Sequence, residues 1–264
     1  MWHWLRDYRR KKILATPFPE EWDTLIQSNI QYYQHLNKEE KKRLQDLIQI
    51  FIAEKYWEGC NGLEMTDEIR VLIAAHACLM ILALPNDYYR NVETIYVYPT
   101  TIFSSERPLG YFEFRTTPVR GPMPILGEAH HSGPVVLVWD AVKRETRHPE
   151  QGHNVVYHEF AHKLDMLDGS ADGTPLLATH EEYQRWCDVC SEEYLELCAK
   201  VERGKPTFFD DYGATNEAEF FAVVTEYFFC KPEKMQHHHP KLYQVLKDFY
   251  RQDPAQRVTN NQQA

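Results

Sequence analysis

The stretch that decides how this chain folds is Asn154-Val-Val-Tyr-His-Glu-Phe-Ala-His-Lys-Leu-Asp165. It predicts a helix from about Asn154 to Leu167, which ends at Asp168-Gly169. His158 and His162 lie four residues apart within it. A helix places two such imidazoles on one face, about 6 Å apart along the axis, so both can face the same ligand.

Two histidines in this arrangement can bind one tetrahedral zinc ion. Glu159 lies beside such a metal rather than on it, where it can act as the general base that takes a proton from water. The bare pattern also occurs by chance on surface helices. Here the helix is largely apolar and is expected to be buried. Burying two histidines and a glutamate without a ligand or partner would destabilise the fold. We therefore predict a catalytic zinc site with one Zn²⁺ per chain.

A catalytic zinc ion needs a third protein ligand. Asp165 lies on the same face, but roughly 10 Å from His158 along the helix axis, which is too far for a short carboxylate. We expect Asp165 to accept a hydrogen bond behind the ligands or at the helix end.

The predicted helix from Thr215 to Cys230 offers better candidates. Glu219 and Glu226 share one face of this otherwise apolar helix, and buried carboxylates need a cation or a hydrogen-bond partner. We predict Glu219 as the third ligand because it is nearer the helix start. Glu226 is expected to orient a ligand histidine or to pair with a buried base.

Tyr212 precedes this helix in the segment Asp210-Asp-Tyr-Gly-Ala214. A phenol near the zinc can donate a hydrogen bond to the oxyanion of a tetrahedral intermediate. The alternative is a packing residue, one of 16 tyrosines in the chain.

The rest of the chain predicts an α+β protein that is mostly α, with a small mixed sheet between helical halves. Strands are predicted at Glu93–Pro99, Phe112–Arg115 and Pro134–Trp139, and the last is expected to be an edge strand that pairs with extended substrate. His130 and His131 flank it. The predicted organisation is one compact unit with an N-terminal helical region (1–85), a catalytic region (86–257) and a flexible tail (258–264).

The formal net charge of -10 argues against broad nucleic-acid binding. The sequence shows neither a signal peptide nor an apolar stretch long enough for a membrane span, so a cytoplasmic protein is expected. The basic, aromatic N-terminus is expected to be frayed, with contact to a membrane or a partner as the alternative. Three further patterns are predicted not to be functional sites. We expect Asp168–Gly173 to form a polar turn rather than a calcium loop, and His237–His239 to form a solvated loop. We expect Cys187-x-x-Cys190 to contain reduced thiols.

Three stretches resemble the Mlc titration factor A family of bacterial zinc peptidases: Asn154–Asp165, Glu219–Phe229 and Pro134–Val142. The resemblance implies a zincin-like fold similar to the gluzincin peptidases, with zinc held by His158, His162 and Glu219. It also implies Glu159 as the general base and Tyr212 as a stabiliser of the transition state.

The resemblance implies two possible activities. The first is aminopeptidase-type hydrolysis of peptide or protein substrates. The second is regulatory, because the enterobacterial family member binds the glucose repressor Mlc and relieves repression of sugar-uptake genes. In that case the chain would sequester a transcriptional repressor, and its metal site would be secondary.

Overall fold

The structure is a computed structural model that describes residues 2–85, 87, 89–100, 102–104, 123–125, 127–129 and 133–262. Its α-helices are α1 (Trp2–Leu14), α2 (Glu20–Asn29), α3 (Lys38–Glu54), α4 (Asp67–Met80), α5 (Trp139–Arg147), α6 (Val155–Asp165), α7 (His180–Glu202), α8 (Glu217–Cys230), α9 (Pro232–His238), α10 (Pro240–Tyr250) and α11 (Pro254–Gln262). Its strands are β1 (Tyr56–Gly59), β2 (Thr94–Tyr98), β3 (Ile102–Ser104), β4 (Met123–Ile125), β5 (Gly127–Ala129) and β6 (Val135–Val138). The predicted fold class, α+β and mostly α, is confirmed.

The main sheet is small and mixed, as predicted. Its order is β1-β2-β6-β5, with β1, β2 and β6 parallel and β5 antiparallel to β6. The remaining two strands, β3 and β4, form a separate antiparallel pair. Two of the predicted strands correspond to β2 and β6, whereas Phe112–Arg115 and the pair His130-His131 lie outside the described residues.

The prediction that Pro134–Trp139 forms an edge strand is wrong. Strand β6 lies inside the sheet, where Val135 is paired with Ile95 on one side and with Ala129 on the other. Val135, Leu137 and Val138 are fully buried. A continuous apolar run of this kind is typical of a strand covered on both faces rather than of an exposed edge.

Helix α4 connects the N-terminal helices to α6 by packing directly on it. Helix α3 starts at a capping box between Asn37 and Glu40, and α4 starts where the Thr66 side chain accepts from the Ile69 amide. From Ile69 onward α4 is buried almost all round, in contact with α2, α3 and α6. This central helix therefore forms one wall behind α6.

The described residues near both ends of the chain are helical. Helix α1 is held by the Arg10 guanidinium on Glu54. Helix α11 runs to Gln262. Ala255 in its first turn is buried, and its amide donates to the Tyr243 hydroxyl at 2.9 Å. No helix in the described part of the chain is both long and apolar enough to cross a membrane.

The structure also describes the three histidines at 237–239, the turn at Asp168 and the cysteines. His237 and His238 end helix α9 instead of lying in a loop, and the next residue, His239, contacts Glu193 at 2.7 Å. Asp168 caps a turn by accepting from the Ser170 amide, as in an ordinary polar turn. All six cysteines are free thiols.

Candidate metal centre

Helix α6 begins at a well-formed cap. The Asn154 side chain accepts hydrogen bonds from the amides of Val156 and Tyr157, at 3.1 and 3.0 Å. The helix ends at Asp165 and a short 3₁₀ turn leads to Gly169, whose φ of 100° is left-handed. His158 therefore lies one turn after the cap, and its position along the chain is set by that local hydrogen bonding.

Helix α8 brings the predicted third ligand to the same place. Its cap is Asn216, whose side chain accepts from the Glu219 amide at 2.9 Å. Glu219 thus lies in the first turn, while Glu226 follows two turns later on the same face. Helices α6 and α8 pack against each other along this face, and both carboxylates are buried there.

Three side-chain donors converge between the helices. Nε2 of His158 lies 3.0 Å from Oε2 of Glu219 and 3.3 Å from Nε2 of His162, and the His162 to Glu219 distance is 3.4 Å. In a tetrahedral zinc site with bonds of about 2.1 Å, neighbouring donor atoms lie about 3.4 Å apart. The three predicted ligands therefore already have the mutual spacing of three corners of such a site, and they form a group that can hold a metal ion.

Glu226 fixes the orientation of His158. Its Oε1 lies 2.8 Å from Nδ1 of His158, and its Oε2 accepts from the backbone amide of Asn154 at 2.6 Å. When Nδ1 donates its hydrogen to this carboxylate, the lone pair of Nε2 faces the other ligands. The second oxygen ties this same carboxylate to the cap of α6.

The electrostatics of the cluster favour a cation. Burial opposes the charged form of His158, yet hydrogen bonds to Glu219 and Glu226 outweigh it and raise the pKa of this imidazole. Burial likewise opposes ionisation of Glu219, but hydrogen bonds from His158 and His162 hold the pKa of the Glu219 carboxyl below its usual range. Two carboxylates facing one imidazole make a buried site in which positive charge is stabilised.

The general-base candidate is accompanied by a buried amine. Glu159 is buried in α6, and four residues later Lys163 is fully buried and donates from Nζ to the Gly133 carbonyl at 3.0 Å. Burial lowers the pKa of Lys163 to about 8, against the opposing effect of the Glu159 charge. Sequence reasoning missed Lys163, although a lysine on a largely apolar helix, directly after His162, was a usable signal.

Asp165 is tied to the loop that follows α6. Its Oδ2 accepts from the Gly173 amide at 3.0 Å, and burial raises the pKa of its carboxyl to about 6. Among the described residues, Oδ1 of Asp165 and Nδ1 of His162 are both buried without a hydrogen-bond partner. Asp165 follows His162 by one turn of α6, and the structure does not join the two by a hydrogen bond.

Tyr212 lies next to the ligand candidate His158. It belongs to the 3₁₀ turn Asp211–Ala214, where Asp210 accepts from its amide at 2.8 Å. Its ring centroid is 5.9 Å from that of His158, and its side chain is 45% exposed. The phenol is therefore beside a ligand and accessible from solvent, unlike a tyrosine that packs in the core.

A second glutamate at the α6 terminus was also missed. Oε2 of Glu145, from helix α5, accepts from the Val155 amide at 2.7 Å in a buried position. Glu145 lies in a strongly amphipathic helix, so its sequence context is that of a surface charge. No local pattern would have shown that it is buried against α6.

Comparisons with known proteins show what this chain is similar to. Residues 4–251 match the family described as glucose-regulated metallo-peptidase M90. The chain is 39% identical to the uncharacterized protein slr2042 of Synechocystis over 96% of its own length and 90% of that protein. It is 31% identical to Mlc titration factor A of Klebsiella pneumoniae, over 86% and 84% of the two chains. It is 30% identical to the Serratia proteamaculans protein of the same name, over 84% of each.

These matches confirm the resemblance drawn from the sequence and cover nearly the whole chain. His158, His162 and Glu219 form a group that could hold a metal ion, as a metallopeptidase needs. The chain belongs to the family of glucose-regulated metallo-peptidases M90, and it is a metallopeptidase.

Proposed function

We propose that this metallopeptidase uses one Zn²⁺ ion, held by His158, His162 and Glu219, to hydrolyse peptides in an aminopeptidase-type reaction. The observation that carries the proposal is the convergence of the three donor atoms at 3.0–3.4 Å from one another. Two imidazoles and one carboxylate are an established ligand set for catalytic zinc, and they leave one position of a tetrahedron open for the reaction. An octahedral, all-oxygen ligand set would instead favour magnesium or calcium.

Bound zinc supplies a Lewis acid that acidifies water and polarises a carbonyl group. Glu159 follows His158 on α6 and is buried. In this proposal its carboxylate takes the proton from the attacking water. The same carboxyl group then gives the proton to the leaving amine. In this proposal Tyr212 donates its phenolic hydrogen to the oxyanion as the carbonyl carbon becomes tetrahedral.

Two more carboxylates keep the ligands in place. Glu226 holds Nδ1 of His158 at 2.8 Å, so this histidine presents its other nitrogen to the metal. We assign the same function for His162 to Asp165, because both have a buried polar atom without a partner in the described part of the chain and are one turn apart.

The test of this proposal combines metal analysis with one substitution. The purified chain is expected to contain about one equivalent of zinc, and removal by a chelator should abolish peptide hydrolysis until zinc is restored. Glu159→Gln should abolish hydrolysis and leave the zinc content and the circular dichroism spectrum unchanged. A chain that neither contains zinc nor gains activity on its addition would contradict the proposal.

The aminopeptidase type rests on the family resemblance alone and needs its own measurement. Chromogenic peptides with free and with blocked N-termini should be cleaved at different rates, with the free amine strongly preferred. Equal cleavage of both sets would indicate an endopeptidase. A cytoplasmic location and a link to sugar uptake stay predictions.

The alternative function is regulatory binding. It is favoured by the name of the relatives from Klebsiella and Serratia, Mlc titration factor A. The Glu159→Gln variant separates the two functions, since it removes hydrolysis but leaves the surface intact. If this variant still binds a repressor and retains the cellular phenotype, the cellular function is repressor binding rather than peptide hydrolysis.

A further inference from the structure

Helix α1 has one face that is anchored to the rest of the protein. The guanidinium of Arg10 binds both carboxylate oxygens of Glu54, at 2.8 and 2.7 Å, and Arg6 lies 2.9 Å from Asp87. Both arginines, which lie four residues apart on one side of the helix, are thus neutralised by acidic partners.

The opposite face carries large apolar side chains in water. Trp4, Leu5 and Tyr8 are 69%, 51% and 61% exposed, and the rings of Trp4 and Tyr8 stack with centroids 6.1 Å apart. In the described part of the chain, eight large apolar side chains are exposed, and three of them lie between Trp4 and Tyr8. A cluster of this kind marks an interaction surface, whereas single exposed apolar residues are ordinary.

The same outer surface is basic. Arg9, Lys11 and Lys12 are exposed, and the structure shows no ion pair or hydrogen bond between their side chains and the described residues. Residues 2–14 contain five basic residues and one acidic residue, a formal charge of +4, so the remainder of this chain of net charge -10 carries -14. The helix is therefore a positively charged element on a strongly acidic protein.

These features are arranged as an interfacial helix requires. A helix turns about 100° per residue, so Trp4, Tyr8 and Lys12 lie along one side, away from Arg6 and Arg10. The aromatic residues occupy the N-terminal half, and the bases follow within about one turn. Tryptophan and tyrosine favour the depth of lipid headgroups, while nearby lysines and arginines bind anionic phosphates.

We propose that the outer face of α1, formed by Trp4, Leu5, Tyr8, Arg9, Lys11 and Lys12, binds the surface of an anionic lipid bilayer. Charge complementarity selects this occupant, because an anionic surface attracts α1 and repels the acidic body of the protein. The helix lies on the bilayer and does not span it, as its length of 13 residues and its charges require. The inference stands independently of the metal centre, since it uses no residue of that site.

The test is co-sedimentation of the full-length chain with two kinds of vesicle. We expect binding to vesicles of phosphatidylcholine mixed with phosphatidylglycerol, little binding to phosphatidylcholine alone, and a loss of binding as salt is raised. Replacing Arg9, Lys11 and Lys12 together by glutamine should weaken binding about 100-fold, since each base near an anionic surface contributes about fivefold. Replacing Trp4, Leu5 and Tyr8 by alanine should weaken it at least about tenfold.

Matched variants separate this effect from a general change of surface. Arg203, Lys205 and Lys234 are exposed bases elsewhere, and Tyr183 and Leu195 are exposed apolar residues on α7. Substituting them in the same way should leave vesicle binding within about twofold of the unchanged chain. The proposal is overturned if the unchanged chain fails to bind anionic vesicles, or if these control variants lose binding as much as the α1 variants. It is also overturned if the α1 variants differ only in self-association, measured by sedimentation velocity, since α1 would then bind a second copy.

Discussion

One carboxylate, that of Glu226, joins a metal-ligand candidate to the start of its own helix. Oε1 is 2.8 Å from Nδ1 of His158, and Oε2 accepts from the Asn154 amide at 2.6 Å. Asn154 caps α6 and His158 follows four residues later within it, while Glu226 comes from α8. The position of His158 is therefore set by two helices at once.

Replacing this carboxylate should weaken metal binding more than it weakens the fold. Glu226→Gln is expected to lower zinc affinity by about 10- to 100-fold, because an amide is a weaker acceptor for the Nδ1 hydrogen of His158. The measurement is a competition titration against a chromophoric chelator. Glu217→Gln is the matched control, since Glu217 lies on the same helix but is exposed. Equal zinc affinity in both variants would show that Glu226 does not support the ligand.

Tyr212 provides a test of transition-state stabilisation. Removing its hydroxyl with Tyr212→Phe should lower kcat by about 10²- to 10³-fold and leave KM and zinc affinity nearly unchanged, since the hydrogen bond forms only as the oxyanion develops. Tyr183→Phe is the control, because Tyr183 is similarly exposed, at 49% against 45%, but lies on α7. A variant that raises KM and keeps kcat would instead place Tyr212 in substrate binding.

The ligand helices could be predicted because their signals are local. Each signal can be recognised within one or two helical turns of sequence. These signals are the cap at Asn154, the i,i+4 histidines and the carboxylates on an apolar helix. Glu219 and His158 are 61 residues apart. Their approach was predicted from the need of a buried carboxylate for a partner and from the family resemblance.

The elements that were missed depend on distant partners. Strand β1 has four residues and no regular apolar alternation, and it exists because Tyr56 to Gly59 pair in parallel with Thr94 to Val97 of β2. The internal position of β6 likewise depends on β5, a three-residue strand too short to recognise from sequence. Such short strands are specified by tertiary pairing rather than by propensity.

Acid should destabilise the protein partly through His76. This imidazole is 4% exposed, lies 3.0 Å from the Thr146 hydroxyl, and is near Asn154 at the start of α6. Burial lowers the pKa of His76 to about 3, below its value of about 6.5 in an unfolded chain. As the pH falls below 6.5 the unfolded state takes up this proton and the folded state does not, so stability is present above 6.5 and is lost with acid.

The expected loss from this one residue is at most about 1.4 kcal/mol for each pH unit between 6.5 and 3. Urea unfolding of the metal-free chain at several pH values measures it. His76→Gln should show a shallower decrease of the free energy of unfolding with acid than the unchanged chain, whereas His180→Gln, at an exposed position, should not. Identical slopes for all three chains would mean that His76 takes up its proton in the folded state.

The last prediction concerns Gly173, which lies between the two ligand helices. Its amide donates to Asp165 at 3.0 Å and its carbonyl accepts from the Trp186 indole at 3.1 Å. A Cβ atom there would meet the Glu217 carbonyl oxygen at 2.3 Å, and the φ of 78° already disfavours a side chain.

Gly173→Ala should therefore cost at least about 2 kcal/mol more in the free energy of unfolding than Gly169→Ala. Gly169 has a φ of 100° but nothing within 4 Å of its added Cβ, so it reports the backbone strain alone, about 1–2 kcal/mol. Because the clash falls on the first turn of α8, two residues before Glu219, the folded Gly173→Ala chain should also bind zinc more weakly. Urea unfolding and chelator competition measure the two effects. If both alanine variants lose the same stability and keep the same zinc affinity, the loop at Gly173 has relaxed away from α8, and the packing there does not hold Glu219 in place.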